Sequence, residues 1–94
     1  MPLFVIEAWD KPDSLAVRLA NRPVHLDRMK ALGAALVIAG PYLDAAGQPI
    51  GSLIIVDMES QAAVEAWAAA DPYAEAGLFA SVTVRPWRQS LPEA

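Results

Sequence analysis

At 94 residues the chain has room for one domain with a modest core, since a protein of this size buries about 64% of its unfolded surface. Its net charge of −4 excludes a nucleic-acid backbone as partner, and its lack of cysteine excludes disulfides, thiolate nucleophiles and thiolate metal sites. Hydrophobic residues make up 55%, more than so small an interior hides, so part of the apolar surface is expected to be covered by a second copy of the chain.

The N-terminal stretch MPLFVIEAWD lacks the basic start and long apolar run of a signal peptide. No segment approaches the roughly 18 uninterrupted apolar residues of a membrane span. A cytoplasmic protein with no membrane partner is expected. Residues 3–9 put Leu3, Val5, Glu7 and Trp9 on one face and Phe4, Ile6 and Ala8 on the other. Both faces are mostly apolar, which predicts a central strand. Residues 10–14 (DKPDS) read as a turn, with Asp13 or Ser14 as the cap of a helix over 15–32. Leu15, Leu19, Leu26 and Met29 share its apolar stripe. Pro23 predicts a kink or a two-piece helix, because an internal proline loses a hydrogen bond and costs roughly 3 kcal/mol. Gly33 is the expected stop.

Residues 34–39 (AALVIA) predict a second strand, punctuated by Gly40-Pro41, and DAAGQPIG around Gly47 predicts a hairpin loop. A third strand is expected over 51–56. Ser60 then caps a helix through residue 69 with Val64 and Trp67 inward, and Asp71-Pro72 ends it. The last strand covers 81–87, where Pro86 marks an edge or a bulge. One domain over 1–94 is expected, with its core over about 3–88 and a loose tail over 89–94. The order β-α-β-β-α-β is that of an α+β, ferredoxin-like sandwich: four antiparallel strands with two helices on one face. Two such sheets packed face to face would cover the open side as a barrel-like dimer.

His25 is the only histidine. Arg18, Arg22 and His25 fall at i, i+4 and i+7 along the border of the apolar stripe. One reading makes them a helix-edge histidine and two surface arginines. Asp71 likewise reads as the cap of a turn beginning at Pro72, accepting from the N–H of Tyr73 or Ala74. The functional reading joins them. A histidine exchanges protons near neutral pH, and a neighbouring carboxylate orients its ring. Arg18 or Arg22 would hold an anionic substrate group by a bidentate contact. A single histidine without cysteine makes a poor metal site, and no dinucleotide or phosphate-binding glycine loop is present, so neither metal nor cofactor is expected.

The stretches NRPVHLDRMKALGAALVIAGPYLDAAGQPIGSLIIVD and AWAAADPYAEAGLFASVTVRPW resemble the YciI-like (YCII-related) family, from residue 3 to about 87. The resemblance rests on Arg22, His25 and Leu26, on Gly33, on Gly40-Pro41, on Gly51, and on Asp71-Pro72-Tyr73 followed by Ala76 and Gly77. It implies a dimeric α+β barrel of ferredoxin-like subunits, with His25 and Asp71 facing a common cleft as an acid–base pair. Proteins sharing that barrel isomerise lactones, oxygenate aromatic rings or eliminate halide, so the resemblance does not select a reaction.

Three functions are compatible with these residues. The first is a cofactor-independent enzyme acting on a small, anionic or ring-containing metabolite by isomerisation, elimination or hydrolysis. His25 and Asp71 would be catalytic, with Arg22, Arg18 and Tyr73 binding substrate. The second is a ligand-binding or regulatory module without turnover, and the third a structural accessory whose assembly is its purpose.

Overall fold

In the computed structural model, which describes residues 2–93, the chain runs β1 (Leu3–Asp10), α1 (Leu15–Ala31), β2 (Leu36–Leu43), β3 (Pro49–Asp57), α2 (Gln61–Ala69), a single turn α3 (Pro72–Glu75) and β4 (Phe79–Trp87). The four strands form one antiparallel sheet in the order β2-β3-β1-β4. This is the ferredoxin-like arrangement, with β1 central as its two apolar faces predict.

Register decides which side chains meet. Phe4 pairs with Val56 and Ile6 with Ile54, so these four point to the same face. Met29 of α1 and Val64 and Ala68 of α2 close over them, and all seven are buried. Ser60 caps α2 by accepting from the N–H of Ala63, and Gly33 leaves α1 at φ +57°, a conformation that favours glycine. On the opposite face, Leu3, Val5 and Leu53 are half-buried and Trp9, Ile38 and Trp87 are exposed. Gly51 lies so close to its neighbours that a Cβ would stand 2.7 Å from the Ala8 carbonyl and 3.0 Å from the Trp9 ring. That close approach lets Trp9 stack on Tyr42, with centroids 4.6 Å apart.

Several expectations need correction. α1 is one helix through Pro23, not two pieces. Leu19 and Pro23 are both exposed, so the carbonyl left without a donor lies on the solvent side, where water can satisfy it. Leu19 therefore does not share the buried stripe with Met29. Neither Asp13 nor Ser14 caps α1 with its side chain; the Ser14 hydroxyl donates back to the Pro12 carbonyl. Gly40-Pro41 does not end the second strand but lies inside β2, which starts at Leu36 after a short 3-10 turn (Gly33–Ala35). β2 is an edge strand, where a missing N–H costs no ladder bond if it faces outward. β3 and β4 are longer than their apolar runs. Residues 88–93 carry no helix or strand, and residue 94, the end of the expected tail, lies outside the described residues.

Candidate functional site

A cleft of about 390 Å³ opens between α1 and the β2–β3 hairpin, with Tyr73 of α3 also lining it. Helix geometry explains which α1 side chains reach it. Arg18, His25 and Met29 stand at i, i+7 and i+11, nearly one above another at 100° per residue. All three are buried, at 5%, 7% and 4% exposure. Arg18 and His25 thus lie on the buried stripe itself rather than on its border, and Arg18 is not a surface arginine.

The fold brings His25 and Asp71 together. Asp71 occupies the cap position of α3, where its Oδ1 accepts from the N–H of Tyr73 at 2.8 Å. Both carboxylate oxygens also lie 3.0 Å from His25 Nδ1. Asp71 is 3% exposed, so this pair is withdrawn from water. An ionised carboxylate only accepts, so Nδ1 carries the proton and donates it. Nε2 then holds the lone pair and is the nitrogen left to act on a ligand. The imidazole stacks on the Tyr73 ring at 3.9 Å and 16°, and Phe79 meets Tyr73 edge-on at 6.0 Å. A ring pinned by an acceptor on one edge and an aromatic plane beneath has little freedom to turn.

The two arginines singled out in the sequence differ in their commitments. Arg18 donates from Nε and Nη2 to Asp10 at 2.7 and 3.0 Å, and from Nη2 to the Ser52 hydroxyl at 2.9 Å. Its guanidinium lies 4.8 Å from the Tyr73 centroid. Arg22 is exposed at the cleft and makes no ion pair among the described residues. It does not reach Asp71. The arginine near Asp71 is Arg28, 3.8 Å from Oδ2, which donates to the Trp67 carbonyl at 2.6 Å and lies over the Trp67 ring. Burial pushes the Tyr73 phenol above its ordinary pKa of 10.0, although the Arg18 and Arg22 charges pull it down.

Asp10, Ser52 and Arg28 were not singled out in the sequence. Arg28 follows His25 by three residues and so shares its side of the helix, a signal that was there to be read. Asp10 and Ser52 meet Arg18 only because β1 ends beside the first turn of α1 and Ser52 pairs with Ala8. That register cannot be seen before the sheet is built. Among the described residues no three His, Asp or Glu side chains gather as a metal site would need, and no helix is long and apolar enough to cross a membrane.

Residues 2–88 match the YCII-related domain. The chain belongs to that family. It is 43% identical over 95 residues to Protein YciI of Escherichia coli O6:H1 and to that of Shigella flexneri, covering 93% of this chain and 97% of each relative. Among solved structures it is similar to 5-chloro-2-hydroxyhydroquinone dehydrochlorinase from Burkholderia phenoliruptrix in complex with 2,5-dihydroxybenzoquinone, at 36% identity and a TM-score of 0.87 over 92% of this chain and 93% of that one. An antibiotic biosynthesis monooxygenase structure aligns with a TM-score of 0.58 at 13% identity over 95% of this chain and 98% of its own, a likeness of fold alone.

Proposed function

We propose that this YCII-related chain is a cofactor-independent enzyme that moves a proton on a small metabolite. The observation that carries this reading is the buried contact between His25 Nδ1 and Asp71, 3.0 Å to each oxygen, at the wall of a cleft large enough for a ligand. In this reading Nε2 of His25 accepts a proton from the substrate and returns it. Asp71 holds the tautomer and stabilises the imidazolium that forms. Arg22, Arg18 and Tyr73 form the substrate-binding wall, Arg18 through its hold on Tyr73 rather than as a free cation. The similar dehydrochlorinase acts on a ring compound and was captured with a small ring ligand, which supports the same kind of substrate here. Isomerisation, elimination and hydrolysis all need such a proton transfer.

The unit proposed is a single domain, working as a homodimer with the two open sheet faces packed together. Trp9, Ile38 and Trp87 on that face support this assembly. The test is a binding screen of small ring and anionic metabolites, 2,5-dihydroxybenzoquinone included. Each bound compound is then followed for conversion by the wild type and by His25→Gln. Conversion that falls by about 100-fold or more in the variant supports the enzyme. A tight ligand that is never converted would leave a binding module instead.

A further inference from the structure

The charges around the cleft do not match those of the chain. The protein carries 11 acidic and 7 basic residues, yet among the described residues lining the cleft there is no carboxylate. Three cations line it: Arg18, Arg22 and Lys30. Their availability differs. Arg18 is neutralised by Asp10 at 2.7 Å, and both side chains are 6% exposed. Lys30 stands eight residues beyond Arg22 on α1, about 12 Å along the axis at 1.5 Å per residue. Lys30 is therefore the cation farther from His25, five residues along α1 against three for Arg22. Arg22 is the free guanidinium on the His25 side, three residues before the imidazole and close enough for its charge to act on the Tyr73 phenol. Apart from His25, Ser52 and Tyr73, the rest of the lining is apolar, including Leu26, Met29, Ile54 and Leu36, with Leu19 56% exposed at the cleft. The start of α3 beside the cleft is not free to bind a phosphate, because its first N–H is already taken by Asp71.

We infer that the cleft takes a singly charged amphiphile, whose carboxylate or ionised enol or phenol meets Arg22 and whose apolar body lies along Leu26, Met29 and Ile54. This deepens the proposed function and rests on its assignment of the cleft as the site. One free guanidinium matches one charge. A dianion would need a second uncompensated cation within reach, and the charge of the nearest candidate, Arg18, is already balanced by Asp10, to which its Nε and Nη2 donate. An apolar body recovers the surface that the uncovered Leu19 and half-buried Leu26 now expose to water. The inference assigns Arg22 as the residue that selects for charge, and Arg18 as a positioning residue for the Tyr73 wall.

The experiment compares three unreactive probes that share a ring: phenylacetate, neutral phenylacetamide and dianionic phenyl phosphate. Dissociation constants are read by ligand-observed NMR in the wild type, Arg22→Gln, Lys30→Gln and His25→Gln. Phenylacetate is expected to bind about tenfold or more tighter than the amide, with the gap shrinking at high salt. Arg22→Gln should bring the two within about twofold, and Lys30→Gln should leave the preference in place. Equal binding of acid and amide, tighter binding of phenyl phosphate, a preference that survives Arg22→Gln, or no binding by any probe would each overturn the inference. The probes do not react, so His25→Gln should keep the same preference. A wrong acid–base assignment would show instead as cleft ligands bound with intact charge selectivity and never converted.

Discussion

Arg18 and Asp10 illustrate how costly a buried charge is to strand. With both side chains 6% exposed, neither ion has water to fall back on. Arg18→Met should lower the unfolding free energy by about 3–5 kcal/mol, because it leaves a buried carboxylate alone. Adding Asp10→Asn should restore a large part of that loss, since the stranded charge is then gone. Urea denaturation of the two single variants and the double variant checks this; a double variant as unstable as the sum of the singles would contradict it. Asp71 has two separable tasks, holding the Tyr73 N–H and orienting His25. Asp71→Asn keeps the first, because asparagine also caps, whereas Asp71→Ala loses both and should cost about 1–2 kcal/mol. The imidazole nitrogens, read by NMR in the neutral ring, should show a single Nδ1-protonated tautomer in the wild type and a mixture in Asp71→Asn. His25 and Asp71 were legible as candidates from their residue types and motif context, although 46 positions separate them. The link from Arg18 to Asp10 and Ser52 was not, since it depends on how a strand end and a neighbouring strand are placed against the first turn of a helix.

Periodicity made the elements legible, whereas their ends are set by neighbours. β1 was readable because both its faces are apolar, and α2 because Ser60 marks its start. β2 runs on through Gly40-Pro41 because an edge strand tolerates a proline that a central strand would reject. The continuity of α1 past Pro23 has the same origin, an unpaired backbone group facing solvent. The two tyrosines join elements that periodicity treats separately. Tyr42 of β2 donates to Glu7 of β1 at 2.7 Å, and Tyr73 joins α3 to α1 through its stack on His25. Both phenols are raised above 10.0, Tyr42 chiefly by its hydrogen bond to the Glu7 carboxylate and Tyr73 chiefly by burial. A raised folded-state pKa means the fold binds the proton more tightly than the unfolded chain does. The stabilisation is therefore complete below pH 10.0 and is lost as the pH rises from there through the higher folded-state values. Phenolate absorbance should show both tyrosines ionising late, and denaturation midpoints should fall over the same alkaline range. Tyr42→Phe should remove the Tyr42 share of that fall. Early ionisation of both phenols with no change in midpoint would contradict the assignment.

At the scale of the whole molecule, the exposed surface is larger than the chain length leads one to expect. A monomer of 10.0 kDa typically exposes roughly 5,200 Å² by area scaling, whereas this chain exposes 5792 Å². Part of the exposed apolar surface lies on the sheet face away from the helices. There Trp9, Ile38 and Trp87 are 39%, 59% and 40% exposed around half-buried Leu3, Val5 and Leu53. Sheets that face water on one side normally alternate apolar and polar residues, and β1 does so only at Glu7, whose carboxylate is taken by Tyr42. The proposed dimer covers this face with its own copy, an isologous arrangement in which each protomer would need to bury about 800 Å². The expectation is a species of twice 10.0 kDa by sedimentation at micromolar concentration. Leu53→Glu sets a second carboxylate directly opposite Glu7 in the β1–β3 register, on the face that the dimer must dry out. That variant should sediment as a monomer while keeping the far-ultraviolet circular dichroism of the wild type, since Leu53 points away from the core of Phe4, Ile6, Ile54 and Val56. A wild type that remains a folded 10.0 kDa species at micromolar concentration would remove the dimer from the proposal. The cleft would be untouched by that result, because it lies on the helix side of the sheet, away from the face that the dimer covers.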